Sequence, residues 1–199
     1  MDIEDLNKNP FKQFKLWFDL AKENEINDPN AMALATVGHD GAPCVRMVLL
    51  KQWDEKGFVF YTNLNSQKGQ QIEEHPKVAI CLHWKSLAKQ IRIEGEVEQV
   101  SDQQADDYYH SRPRRSQIGA WASKQSQPLY GKRTLEQRFK DYEQEFESVD
   151  IIPRPEHWTG LRIKPTLFEF WSNGENRLHD RFKYTKSESG GWIIQRYYP

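Results

Sequence analysis

The sequence of 199 residues lacks several features that mark particular protein classes. Its two cysteines, Cys44 and Cys81, lie far apart without C-x-x-C spacing, and its six histidines are scattered. We therefore expect neither a disulfide nor a metal site. No apolar run is long enough to span a bilayer, and the acidic, polar amino terminus MDIEDLNKNP is unlike a signal peptide. These absences favour a cytoplasmic protein.

The sequence also lacks an excess of either charge. It has 28 Lys and Arg against 29 Asp and Glu, a formal net charge of −1. This balance argues against a general nucleic-acid or membrane-surface binder, but it leaves room for a local basic pocket that holds a small anion. The ordinary apolar and charged fractions predict one globular domain over residues 1–199, with residues 1–28 as an N-terminal arm and helix.

Hydrophobic periodicity predicts a helix followed by many strands. NPFKQFKLWFDLAKEN places Phe11, Phe14, Trp17, Phe18 and Ala21 three to four residues apart, as in an amphipathic helix. The runs AMALATV, CVRMVLLKQW, GFVFYTN, KVAICLHW and KQIRIEGEVEQV predict strands, with turn signals between them. This order favours an antiparallel meander or barrel over βαβ units.

Three capping patterns predict short helices within the sheet. Ser66 precedes QKGQQIEE, Ser101 with Gln104 precedes ADDYYH, and Thr134 with Gln137 precedes RFKDYEQEF. Towards the end, GLRIKP and LFEFW predict two further strands, and the residues around SESGG predict a late hairpin.

Two charged stretches each allow two interpretations. If NRLHDRF is extended, Arg177, His179 and Arg181 point to one face, which is either a cationic site or a solvated strand edge. VRMVLLK is so apolar that it predicts a buried strand with Arg46 and Lys51 at its two ends. Both cations can also simply extend to solvent there.

Two further stretches are typical of anion sites. In FYTNLNSQKGQQ, a helix start with Thr62, Ser66 and Lys68 can hold a phosphate, although an ordinary capped helix explains it equally well. YYHSRPRRSQIGAWASKQS crowds arginines and hydroxyls, which suits a phosphate monoester better than a solvated turn. The residues of this basic cluster are Tyr108, Ser111, Arg112, Arg114, Arg115 and Ser116.

The motifs RMVLLK, FYTN, SRPRRSQIGAWASKQS, EFW and RLHDRF, in this order, resemble the pyridoxine 5′-phosphate oxidase family over nearly the whole chain. The resemblance implies a mainly β fold with flanking helices, an FMN-binding split β-barrel of Greek-key type. It also implies a homodimer with FMN between the subunits. The implied reaction oxidises pyridoxine or pyridoxamine 5′-phosphate to pyridoxal 5′-phosphate, with O2 as acceptor, giving H2O2 and, from the amine, NH3.

The resemblance also implies site residues. The implied FMN contacts are Arg46, Met47, Val48, Leu49, Leu50, Lys51, Tyr61, Thr62, Ser66, Lys68, Gln90, Gln125, Ser126, Trp171 and Arg181. The implied substrate contacts are Lys51, Tyr108, Arg112, Ser116, Arg177 and His179, of which Arg177 and His179 are the catalytic candidates. One position departs from the family pattern, because Gln67 stands where the family commonly has an arginine.

Two other functions remain open from the sequence. One is a split-barrel flavoenzyme that acts on a different ring, although Arg112, Ser116, Arg177 and His179 argue against it. The other is a module that binds flavin or pyridoxal phosphate without turnover.

Overall fold

The computed structural model describes residues 2–187 and 190–199. Its helices are α1 (Pro10–Asn24), α2 (Gln67–Glu74), α3 (Asp102–Ser111), α4 (Arg114–Ala122) and α5 (Lys132–Glu145). Its strands are β1 (Ala31–Val37), β2 (Pro43–Leu49), β3 (Gln52–Asp54), β4 (Gly57–Asn63), β5 (Lys77–Trp84), β6 (Lys89–Gln99), β7 (Trp158–Ser172), β8 (Asp180–Lys186) and β9 (Trp192–Arg196). Short 3-10 turns span Ile3–Asp5 and Glu175–Arg177.

All strand pairs are antiparallel, in the order β2-β1-β5-β6-β7-β4-β3, and β8 joins β7 to β9. Strand β7 is the branch point. One edge pairs with β6 from Leu161 to Ser172, while the other pairs with β4 over the first residues of β7 and with β8 over its last. The predicted antiparallel sheet with flanking helices is confirmed, and the late hairpin is β8–β9. Glu188 and Ser189, in its connection, lie outside the described residues.

Helix α1 packs its apolar face on the sheet, as its periodicity predicts. The helix begins after Asn9, whose side chain accepts hydrogen bonds from the amides of Phe11 and Lys12, and Pro10 occupies the first turn. Phe14 is fully buried and its ring lies 4.8 Å from that of Phe58, edge to face. This aromatic layer anchors the N-terminal residues to the main core.

A second hydrophobic cluster joins helices α3, α4 and α5 to the start of β7. Its buried members are Tyr109, Ile118, Phe146, Ile152 and Trp158. Because Trp158 is the first residue of β7, this cluster places the helical region beside that end of the sheet. The basic cluster of the sequence therefore lies next to β4 and β7.

The prediction that VRMVLLK is a buried strand is wrong for the single chain. Strand β2 is the edge of the sheet, and the exposed fractions of Val45 and Met47 are 70% and 65%. The run CVRMVLLKQW is also divided between β2 and β3. The apolar side chains on this face of β2 are therefore left exposed in the single chain.

Three other predictions from the sequence need correction. Thr134 does not cap α5, which begins at Lys132 after Gly131, where φ is +107°. Helix α4 was not predicted. The two strands expected from GLRIKP and LFEFW form the single strand β7. Pro165 is tolerated within it because it pairs with Gly95 at a register shift in β6, where the ladder is interrupted.

NRLHDRF is not extended throughout, so the condition for placing its three basic residues on one face is not met. Asn176 and Arg177 have φ of 53° and 64°, and β8 begins only at Asp180. Two consecutive left-handed residues turn the chain, so side chains do not alternate as they do in a strand. Arg177, His179 and Arg181 therefore do not form one row.

Within the described ranges, no helix combines the length and the apolar character needed to cross a membrane. In that same part of the chain, no group of three or more His, Cys, Asp or Glu could hold a metal ion. Both cysteines are free and partly buried.

Candidate active site

A cavity of about 370 Å³ lies where β4 and the start of β7 meet α4. We call it the Arg112 cavity. It brings together predicted flavin and substrate contacts from distant parts of the sequence, together with Trp158. The residues that matter here are Tyr61, Thr62, Arg112, Ser116, Gln125 and Trp158.

Two buried polar atoms in this cavity have no hydrogen-bond partner among the described residues. They are Oγ1 of Thr62 and Nη1 of Arg112. Buried polar groups in folded proteins are nearly always paired, because an unpaired one loses its hydration without compensation. The two atoms therefore fit a polar ligand in the cavity, and a phosphate would satisfy both kinds of donor.

The planar guanidinium of Arg112 lies against two aromatic rings. Its guanidinium carbon lies 4.9 Å from the ring centroid of Trp158 and 6.0 Å from that of Tyr109. Burial lowers the pKa of Arg112 from its ordinary value, although a guanidinium of this kind stays charged near neutral pH. The aromatic rings cover the face of the guanidinium, and the N–H groups at its edge remain able to bind an anion. Sequence reasoning missed Trp158, whose only local signal is its place at the start of a strand.

The basic cluster does not act as a unit. Arg112 faces the cavity, whereas Arg114 donates to the backbone carbonyl of Phe146. Arg115 pairs with Glu143 at 3.2 Å, and its side chain is 76% exposed. One arginine of the three therefore lines the cavity, and the other two connect α4 to neighbouring elements.

Tyr61 contacts two other aromatic rings. The ring of Tyr108 stacks on it at 3.8 Å, and that of Trp158 lies 5.2 Å away, both within 14° of parallel. The Tyr61 hydroxyl donates to Oε1 of Gln52 at 3.2 Å. Burial raises the pKa of Tyr61 to about 12, so this hydroxyl stays protonated at neutral pH. The stack brings a predicted substrate contact, Tyr108, against a predicted flavin contact.

The predicted anion site at the start of α2 is well formed. Ser66 caps the helix by accepting from the amide of Gly69. Lys68 donates to Oε1 of Gln125 at 2.7 Å and to Oγ of Ser66 at 3.2 Å. Burial first, and then the charge of Arg46, lowers the pKa of Lys68 to about 8. Free helix-start amides beside two cations favour an anion here.

Arg46 itself is oriented by the protein. Its Nη1 donates to Oγ1 of Thr36 at 2.6 Å, and its Nη2 donates to Oε1 of Gln71 at 3.1 Å. Within residues 2–187 and 190–199, neither Arg46 nor Lys68 forms an ion pair with a carboxylate. Both positive charges are thus available to an anion.

A second group of predicted residues lies at the other end of β7. Gln90, Trp171 and Arg181 are direct neighbours across β6, β7 and β8. The ring of His179 lies 4.8 Å from that of Trp171. We call these four residues the Trp171 group.

Glu169 holds Arg181 of this group in place, and the sequence did not predict this role. Its carboxylate is almost fully buried and accepts from Nη2 of Arg181 at 3.0 Å, with Arg92 at 3.5 Å and Lys183 at 3.6 Å. A buried carboxylate is stable only when cations surround it in this way. Its signal in the sequence was one acidic residue between Phe168 and Phe170, on the opposite face of the strand from the core.

The Arg112 cavity and the Trp171 group do not meet within one chain. Trp158 opens β7 and Trp171 lies thirteen residues further along the same strand. At ~3.3 Å per residue the separation along the strand is up to about 43 Å. The predicted flavin and substrate contacts therefore fall into two separate groups in the single chain.

Of the remaining predicted contacts, Arg177 is exposed in the 3-10 turn before β8, and the others lie on or near the edge strand β2 and in the loop after α4. Met47, Leu49 and Lys51 are exposed, Val48 is partly buried, and Leu50 is buried in the core. Ser126, with φ of 69°, follows Gln125 in a loop that lines a further cavity of about 620 Å³.

Comparison with known proteins assigns this architecture to a family. Residues 19–146 match the family described as Pyridoxamine 5′-phosphate oxidase. Residues 158–199 match the Pyridoxine 5′-phosphate oxidase C-terminal dimerisation region. Curated proteins named Pyridoxine/pyridoxamine 5′-phosphate oxidase are similar over most of their length. That of Agrobacterium fabrum is 54% identical, covering 96% of this chain and 92% of its own. That of Pelagibacter ubique is 49% identical, covering 93% and 89%.

Solved structures agree on the fold. PhzG from Burkholderia lata, in complex with tetrahydrophenazine-1-carboxylic acid, has a TM-score of 0.91 at 26% identity and covers 98% of this chain and 95% of its own. A pyridoxamine 5′-phosphate oxidase-related, FMN-binding protein from Nostoc punctiforme has a TM-score of 0.74 at 18% identity, covering 94% and 97%. On the family matches and the identity to curated relatives, the chain belongs to the pyridoxine/pyridoxamine 5′-phosphate oxidase family.

Proposed function

We propose that this protein oxidises pyridoxine 5′-phosphate and pyridoxamine 5′-phosphate to pyridoxal 5′-phosphate with FMN and O2, in sites that two subunits build together. The identity of about half to curated oxidases over almost the whole chain supports the reaction. The observation that carries the substrate assignment is the Arg112 cavity, with its stacked guanidinium and unpaired N–H. In this proposal residues 1–199 act as one domain, since β7 contributes to both hydrophobic clusters.

Different residues of the chain bind the two ends of the substrate. Arg112 and Ser116 hold the substrate phosphate, and Tyr108 and Lys51 border it. Arg177 lies in the turn before β8, and we assign it to the C4′ end of the substrate. There a guanidinium stabilises the charge that develops as the hydroxyl or amine loses its proton. His179, against Trp171, supports that geometry.

FMN, when bound, supplies the redox chemistry by accepting a hydride from C4′ and passing two electrons to O2. Lys68, Arg46 and the start of α2 suit its phosphate, because they combine two unpaired cations with helix-start amides. Thr62 has the unpaired hydroxyl that a ligand would satisfy. The further assigned contacts are Tyr61, Ser66, Gln90, Gln125, Ser126, Trp171, Arg181 and the segment from Met47 to Lys51.

The separation of the two half-sites supports a position for FMN between subunits. One group of assigned contacts lines the Arg112 cavity and the other forms the Trp171 group, at opposite ends of β7. A second copy can place its Trp171 group against the cavity of the first. The match to a dimerisation region over residues 158–199, which include β7 and β8, agrees with this arrangement.

The exposed apolar face of β2 gives a test of the dimer. Met47 is 65% exposed in the single chain and flanked by Val45 and Leu49 on the same face. We expect Met47→Glu to yield a monomer that binds FMN weakly, because a carboxylate buried between subunits lacks a partner. Sedimentation and flavin absorbance measure both effects. The control is Glu96→Gln, which also changes a residue of the sheet but lies on β6. If the unaltered protein were a monomer loaded with flavin, that result would contradict the shared site.

The direct test of the reaction is an assay in air with pyridoxine 5′-phosphate. Pyridoxal 5′-phosphate and H2O2 should appear in equal amounts. Product without peroxide contradicts O2 as acceptor, and binding without product supports a module without turnover. The likeness to PhzG makes a ring carboxylic acid the necessary competitor substrate. Faster turnover of that compound would indicate a different ring specificity on the same fold.

The pKa of Lys68 predicts how FMN binding depends on pH. The ammonium attracts phosphate only when protonated, and its pKa of about 8 places the loss of the proton within reach of experiment. FMN affinity should fall as the pH rises through about 8, where the Lys68 ammonium loses its proton. Lys68→Arg should remove this dependence, because a guanidinium remains charged. Titration of apoprotein with FMN measures the effect, and riboflavin, which has no phosphate, should not show it.

Gln67 predicts a gain in affinity. It is exposed at the first position of α2, beside the proposed phosphate site. Gln67→Arg should tighten FMN by up to roughly 1.5–3 kcal/mol if the guanidinium reaches the phosphate, with solvent exposure reducing the gain. Flavin titration checks this. Gln70→Arg, one turn later on the exposed face, is the matched control, and equal effects of the two changes would mean that Gln67 does not face the phosphate.

A further inference from the structure

The turn that precedes β8 has an unusual backbone. Asn176 and Arg177 are both left-handed, with φ of 53° and 64°, and the amide of Leu178 donates to the carbonyl of Glu175 at 2.9 Å. Gly174 is confined here, because a Cβ atom at that position would lie 2.1 Å from the carbonyl oxygen of Leu178. Such conformations in residues other than glycine are costly, and they concentrate at functional sites.

This turn also fixes the ring of His179. The amide N–H of Gly174 donates to Nδ1 of His179 at 3.2 Å, and the ring of Trp171 lies against the imidazole at 4.8 Å. A backbone N–H can only donate, so Nδ1 has to carry the lone pair. In a neutral imidazole the proton is then on Nε2.

We propose that Gly174 is a positioning residue that holds His179 in the Nε2–H form, so that His179 donates a hydrogen bond to the substrate and does not take its proton. The inference rests on the proposed oxidation. When C4′ loses a hydride, the hydroxyl or amine on it also loses a proton. Nδ1 of His179 is occupied by the Gly174 amide and Nε2 by its own hydrogen, so that proton passes to solvent water.

The tautomer can be observed directly. In flavin-loaded protein labelled with ¹⁵N in the histidine rings, the signal lost in His179→Gln identifies His179. Its neutral form should show a protonated Nε2 and an unprotonated Nδ1. A protonated Nδ1 in protein with normal turnover would overturn the inference while leaving the proposed function intact. Absence of turnover with pyridoxine 5′-phosphate would instead refute the proposed function.

Two substitutions of His179 separate a donor at Nε2 from one at Nδ1. The side-chain nitrogen of glutamine reaches about as far as Nε2, whereas that of asparagine reaches only as far as Nδ1. We expect His179→Gln to keep kcat/KM within about tenfold of the unaltered protein, and His179→Asn to lose about a hundredfold. Equal losses with equal FMN content would contradict the donor role.

Gly174→Ala tests the positioning residue itself. The clash with Leu178 should displace the amide from Nδ1, add a signal from the Nδ1–H form and lower kcat more than it raises KM. Asn176→Gly keeps a residue that tolerates the left-handed conformation and should preserve the tautomer. A Gly174→Ala protein with normal FMN content, an unchanged tautomer and reduced kcat would show that Gly174 does not act through His179.

Discussion

Arg177→Ala is expected to lower kcat/KM by roughly thirtyfold to a thousandfold, mainly through kcat. This range corresponds to the loss of a charged contact worth roughly 2–4 kcal/mol in the transition state. Arg177 is exposed in the turn before β8, so its removal takes no side chain from the core. FMN content and thermal stability should therefore stay nearly normal.

The control for this prediction is Arg177→Lys, which keeps the charge but loses the planar fork. If Arg177 orients the substrate by a paired contact, lysine should restore only part of kcat. Full activity of Arg177→Ala, or a general loss of folded protein, would mean that the turn has a structural role alone. Steady-state kinetics on flavin-loaded protein distinguish these outcomes.

Arg112→Ala is expected to raise KM by roughly tenfold to 150-fold with a small change in kcat. A charged hydrogen bond of about 1.5–3 kcal/mol to the substrate phosphate is present in both the ground and transition states, so its loss mainly weakens binding. The Trp158 ring at 4.9 Å orients the guanidinium of Arg112, and its Nη1 has no partner within residues 2–187 and 190–199, which supports this assignment.

Arg115→Ala is the matched control, since Arg115 belongs to the same stretch but pairs with Glu143 on the surface. It should leave KM unchanged within about twofold, as exposed ion pairs contribute little. Similar KM effects from Arg112→Ala and Arg115→Ala would contradict the cavity as the phosphate site. Equal and purely KM effects from Arg112→Ala and Arg177→Ala would remove Arg177 from the chemical step.

Local patterns in the sequence predicted most of the elements. Helix α1 followed from the spacing of its aromatic residues, because a period of 3.6 residues places them on one buried face. Ser66 and Ser101 cap α2 and α3 as predicted, accepting from the amides of Gly69 and Gln104. The pattern failed at Thr134, because Gly131 with its positive φ allows α5 to begin earlier.

The turn in NRLHDRF could not be predicted from alternation. Asn176 and Arg177 adopt left-handed angles that few residues other than glycine take, and nothing in their own side chains requires it. Gly174 permits this turn, because a Cβ atom at that position would lie 2.1 Å from the carbonyl oxygen of Leu178. Hydrophobic periodicity cannot predict a contact between residues on the two sides of a turn.

By itself, the sequence determined the antiparallel character of the fold and the capped start of α2, because period and capping act over a few neighbouring positions. Only the tertiary structure decided that β2 is an exposed edge, that Arg112 stacks on Trp158 and that Glu169 holds Arg181. It also placed the Arg112 cavity and the Trp171 group at opposite ends of β7. These facts depend on which distant strands pair, and that choice is made by the packing of the whole chain.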